Sequence, residues 1–179
     1  MSLDRMTDRS TLTAIAPIMA VVFVGYLIIG IPLPVLPLHV HFGLGLSTVV
    51  VGFVAGSQFA AALLSRMWAG HLSDSRGAKT AEIAGLLIGV VSGALYLASL
   101  AVHDPMRAAM VLMGARALLG IAESIIITAA LSWGMILLGP ERTGTVISWV
   151  GTALFAALAA GAPVGTRSMA GTVSRQLEW

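Results

Sequence analysis

A chain of 179 residues that is 58% hydrophobic and only 10% charged, with a mean hydropathy of +0.95, lies far from soluble domains, where about a quarter of residues are charged. The composition predicts an integral membrane protein, and the lack of strict apolar alternation argues against a β-barrel. The net charge of +2 comes without a basic run, so no nucleic-acid partner is implied, and the absence of cysteine excludes disulfides and thiol chemistry.

A polar leader, residues 1–11 with Arg5 and Arg9, precedes a first span over 12–37 that is too long for a signal sequence and reads as a retained helix. Its end carries Pro32, Pro34 and Pro37, which remove backbone donors and disfavour helix in the residues before them, so this end is expected to be kinked or unwound. A Gly-rich loop from His39 to Ser47 leads to a second span over 48–69, where Gly52, Gly56 and Ser57 offer small surfaces for helix packing. Gln58 is its one amide at depth, there to bond a neighbouring helix or to meet a substrate.

The stretch Gly70 to Lys79, GHLSDSRGAK, is the dense polar cluster between two long apolar runs. No Lys, Arg, Asp or Glu occurs between Arg9 and Arg66, and none between Glu82 and Asp104. Two crossings are expected to meet there. The third span, 81–102, places Gly85, Gly89 and Gly93 at i, i+4, i+8, the spacing of a single packing groove. His103, Asp104 and Pro105 form the return turn. The fourth span, 106–138, carries Arg116 and Glu123 in an otherwise apolar helix, and after the loop Gly139 to Thr143 a fifth span covers 144–165. The tail, 166–179, is too polar to span and reads as foreign to the fold. Arg5, Arg9, Arg66, Arg76, Lys79 and Arg142 on one side against Arg107 on the other predict a cytoplasmic N-terminus, by the excess of basic residues on inner loops. The setting expected is the inner, cytoplasmic membrane, crossed several times.

An internal comparison at an offset of 95 aligns Gly25, Gly56 and Gly70 with Gly120, Gly151 and Gly165, the kind of repeat from which transporters are built. In the polar stretch, Asp74 is placed to accept from a helix N-terminus or pair with an arginine, and Gly77 permits a tight turn, which together make a polar latch. The alternative is a solvated turn. Arg116 and Glu123, seven residues apart, lie about 20° apart around a helix and so share a face. Ionisable groups at that depth cost about 2.5 to 3.5 kcal/mol each on insertion scales and normally meet a cavity or a partner. His39 and His41 lack a third ligand and read as ordinary loop residues, so no metal site is expected; no phosphate loop, nucleophile elbow or HExxH motif is present. Neither enzyme chemistry nor a cofactor is implied.

With these residues in view, the chain resembles the major facilitator superfamily. The loop between its second and third helices has the pattern GxxxDrxGrr, matched by Gly70, Asp74, Gly77 and Lys79, with Ser75 and Ala78 departing from it and Arg76 displaced by one. RALLGIAES resembles the RxxxG motif, with Arg116 and Gly120 on matching positions, and GAPVG resembles the glycine-proline motif of antiporters through Gly161, Pro163 and Gly165. Within that family the chain is similar to bacterial drug-efflux members of the YhhS and YfcJ type. The resemblance implies an all-α bundle, the N-terminal part of that fold with about five spans, and a proton-coupled exporter of small organic molecules. In it Arg116 and Glu123 would serve proton coupling, and Tyr26, Gln58, Glu123 and Trp149 would line the substrate cavity. A complete member has twelve spans, so a truncated half is expected. The rival expectation is a fragment or small membrane protein that moves nothing and associates with other helices.

Overall fold

The computed structural model describes the backbone of residues 3–176 and the side chains of residues 12–167. The side chains of Arg5 and Arg9, and those of the tail beyond 167, lie outside the described residues. The fold is all-α. In chain order the helices are α1 (Leu3–Gly30), α2 (Val35–Leu38), α3 (Thr48–Arg76), α4 (Ala78–Leu100), α5 (Pro105–Leu138) and α6 (Thr143–Gln176), with a π-turn at His39–Gly43 and a 3₁₀ turn at Pro140–Arg142. Five stretches are long and apolar enough to cross a membrane: Leu12–Gly43, Thr48–Arg76, Ala78–Leu100, Pro105–Leu138 and Pro140–Arg167.

The breaks fall where backbone chemistry puts them. α1 stops at Gly30, before Pro32 and Pro34, and the chain turns into α2 with Leu36 N–H bonded to Pro32 O at 2.9 Å. Asp104 caps α5 by accepting from Arg107 N–H at 2.8 Å, with Pro105 in the first turn. Gly77 (φ +85) and Gly139 (φ +83) occupy the left-handed region at the two sharp reversals, which glycine enters without the Cβ penalty. The polar stretch is therefore not an open loop. α3 stays helical through Arg76 and one residue, Gly77, separates it from α4. At the other extreme, α6 runs unbroken through Pro163 to Gln176, so the stretch expected as a tail is helical backbone as far as it is described.

α5 is the centre of the bundle. It buries residues all around its circumference and packs most closely on α3 and α4, with further contacts to α1 and α6, while α1 pairs chiefly with α6. Exchanging α1 with α5 and α3 with α6 maps the α1·α6 pair onto the α3·α5 pair, the symmetry that the offset of 95 implies. Three apolar clusters hold the helices together, around Val22, Ile126 and Val150, around Leu36, Val54 and Leu112, and around Ala69, Ala81 and Ala129. Outward, α3 and α4 expose Phe53, Leu63, Leu64, Met67, Ile83, Leu87 and Leu97, the apolar belt that suits lipid and not water.

Glycines set the closest approaches. A Cβ on Gly120 would collide with the backbone carbonyl of Gln58, and one on Gly165 with that of Ile31; Gly161 packs against Gly30 and Ile31. Pro163, between these two, is exposed. The expected groove at Gly85, Gly89 and Gly93 is only partly used. Gly85 packs on Ile125 and Ile126, whereas a Cβ added at Gly89 or Gly93 would meet nothing within 4 Å.

Candidate functional site

Because Gly120 lets α5 approach the α3 backbone at Gln58, the side chains one turn further along α5 come within reach of the amide. Gln58 is 1% exposed, and its Nε2 donates to Glu123 Oε2 at 2.8 Å. The Ser57 hydroxyl bonds Val54 O at 2.7 Å and Met113 O at 3.2 Å, a second polar tie between the same helices. Beside this junction lies a groove of about 360 Å³. Its polar wall is Tyr26, Arg66, Glu123 and Ser124, and its apolar wall is Phe59, Ala62, Leu63, Ile127 and Leu154. Tyr26 of α1, Arg66 of α3 and Glu123 of α5 thus bring side chains from three helices to one groove. A carboxylate, a guanidinium and two hydroxyls at the edge of an apolar groove can bind a polar small molecule or hand a proton across it.

Tyr26 and Glu123 thus line one groove, and Gln58 is bonded to Glu123 beside it. Trp149 does not join them. It is half-buried against the core between α1, α5 and α6, away from the groove lining.

Arg116 and Glu123 are not partners. Arg116 is 1% exposed and donates from Nη1 to the Tyr96 hydroxyl of α4 at 3.3 Å, while its Nε finds no acceptor; Glu123 is held from α3. Ser92 adds a bond to Ala115 O at 2.8 Å beside Arg116. Seven residues give one helix face but also about 10.5 Å of rise, so different helices meet the two side chains.

At the far end of α3, the latch residues Gly70, Asp74, Arg76, Gly77 and Lys79 surround the reversal. Asp74 is exposed and makes no hydrogen bond or ion pair among the described residues. Lys79 lies over the Trp133 ring of α5 at 5.1 Å, and Arg76 lines a second groove of about 530 Å³ with Ser65, Trp68 and His71. Space around Gly70 is open. His41 Nδ1 lies 2.9 Å from Leu46 O, inside its own turn.

One residue escaped the sequence reading. Glu82, named there only as the boundary of a run without charges, is 3% exposed with both carboxylate oxygens unpartnered among the described residues. Its signal was available. Positions 82, 85, 89 and 92 recur at helical spacing, and Glu82, Gly85, Gly89 and Ser92 are all buried.

Comparison with known proteins agrees with this architecture. The sequence profile of the Major Facilitator Superfamily matches residues 18–172. The chain is 46% identical over 161 residues to an uncharacterized MFS-type transporter of Salmonella typhimurium, covering 89% of this chain and 42% of that protein. It is 41% identical over 157 residues to uncharacterized MFS-type transporters of Burkholderia pseudomallei and Burkholderia mallei, covering 87% of this chain and 39% of each. The chain therefore spans about two fifths of the length of these relatives. No solved structure matches it.

Proposed function

The chain belongs to the major facilitator superfamily, a family of multi-pass membrane transporters, and on that premise we propose that it supplies part of a proton-coupled exporter of small organic molecules. The observation that carries this reading is Glu123, an acid within a membrane-spanning helix, held by Gln58 at the rim of a groove that Tyr26 and Arg66 also line. Such an acid can exchange a proton for a substrate group when the groove opens to one side and then the other. Arg116, buried against Tyr96, would hold α4 and α5 in register as the helices rock. The cluster Gly70, Asp74, Arg76, Gly77 and Lys79 would act as a latch, its free carboxylate at Asp74 offered to a helix that closes the inner face. Further helices would complete the groove, as the unmatched length of the relatives allows. We place the protein in the cytoplasmic membrane with its N-terminus inside.

The test is transport. Expressed together with the remaining length of a relative in efflux-deficient cells, the chain should lower accumulation of small organic compounds in a way that collapses when the proton gradient is dissipated. Export that persists unchanged without the gradient would overturn proton coupling, and no export of any compound tried, from a stably inserted protein, would favour a helix-associating role.

A further inference from the structure

The groove beside Gln58 is lined by an acid and a base that do not pair with each other among the described residues. Arg66 of α3 and Glu123 of α5 both line it, and neither forms an ion pair among the described residues. Both share the groove with the Tyr26 side chain of α1. Ser124 also lines the groove; it is 2% exposed and its hydroxyl has no partner among the described residues, so a buried donor is available there. The remaining wall, Phe59, Leu63 and Leu154, is apolar.

A ligand with one charge would satisfy one of these groups and leave the other without a partner in the groove. A ligand carrying both charges satisfies both. We propose that the groove selects a small zwitterion, its ammonium on Glu123, its carboxylate on Arg66 with the Ser124 hydroxyl donating, and its apolar portion against Phe59 and Leu63. This deepens the transport reading of the groove and depends on that reading for its use, though not for binding.

The experiment is calorimetric titration of the full chain in lipid nanodiscs with three probes of matched shape: L-phenylalanine, phenethylamine, which lacks the carboxylate, and 3-phenylpropionate, which lacks the ammonium. The zwitterion should bind about tenfold or more tightly than either analogue, as expected for one charge-assisted hydrogen bond gained. Arg66→Gln should reduce phenylalanine to the affinity of phenethylamine, and Glu123→Gln to that of 3-phenylpropionate. Equal affinities for the three probes, or no binding of phenylalanine, overturn the proposal. Selective binding with no transport in the longer protein would leave it standing and sink the transport reading; transport of singly charged compounds without zwitterion preference would do the reverse.

Discussion

Gln58 and Glu123, 65 positions apart in sequence, are joined by a hydrogen bond of 2.8 Å, and the join exists because Gly120 removes the side chain that would keep α5 off the carbonyl of Gln58 itself. One glycine and one amide therefore position the acid of the groove. The amide holds Glu123 toward α3 and away from Arg116, so the acid and the buried arginine are separate components of the bundle.

Glu123→Gln in the longer transporting protein should flatten the pH dependence of export while leaving insertion and thermal stability close to wild type, within about 1 kcal/mol, because an amide can still accept from Gln58 but cannot titrate. Arg116→Lys should reduce transport at every pH instead, since an ammonium does not reproduce the planar guanidinium facing Tyr96. Export measured from pH 5.5 to 8.5 separates them. An unchanged profile in Glu123→Gln would remove that side chain from coupling.

Gly120→Ala should destabilise the bundle by about 1 to 3 kcal/mol, the usual cost of forcing volume into a packed contact, because its Cβ meets a backbone oxygen that cannot move aside. Gly93→Ala, whose Cβ would enter open space, should be neutral or stabilise α4 by up to about 1 kcal/mol through helix propensity. Thermal unfolding of both variants in the same detergent compares them, and equal melting temperatures would refute the account of the α3·α5 contact.

The helices were legible because an apolar run long enough to cross hydrocarbon reports itself by length alone, and Gly77 was legible because few other residues suit a sharp reversal at positive φ. Contacts between helices were less so. The spacing of Gly85, Gly89 and Gly93 says that they share a face but not that only at Gly85 would a Cβ meet a neighbour, which depends on where α5 crosses. Gln58 and Glu123 could be named as polar residues at depth, yet their bond depends on the relative register of α3 and α5. Trp149 was read as a cavity residue by type; it lies partly buried against the cluster of α1, α5 and α6 and does not line the groove beside Glu123. Glu82 was missed because it served only to bound a run without charges and its helix face was not considered.

Orientation follows from which charges share an end. Lys79 over Trp133 brings the α3–α4 reversal to the same end as the α5–α6 turn with Arg142, while Arg107 begins α5 at the opposite end. By the excess of basic residues, the end with Arg76, Lys79 and Arg142 should be cytoplasmic. The chain has no native cysteine, so single cysteines at the exposed positions Ser75 and Gly43 can be probed with a membrane-impermeant thiol reagent on intact cells. Gly43→Cys should label and Ser75→Cys should label only after lysis; the reverse pattern would invert the topology.

Glu82 makes the sharpest prediction about stability. Its carboxyl is buried among α4 and its neighbours, both oxygens lack a partner, and Lys79, one turn away, is occupied with Trp133. A buried polar group without hydrogen bonds costs about 1 to 3 kcal/mol, and removing it breaks no interaction. Glu82→Leu, similar in bulk, should therefore raise stability by about that amount, read as a higher melting temperature of the full chain in detergent. Gln58→Leu should do the opposite, because it removes the hydrogen bond that ties α3 to Glu123 of α5. The two substitutions exchange a polar for an apolar side chain at equally buried sites on adjacent helices, so hydrophobicity alone predicts the same sign for both. Opposite signs would establish that hydrogen bonding decides the outcome, and a destabilised Glu82→Leu would mean that the acid has a bound partner in the membrane.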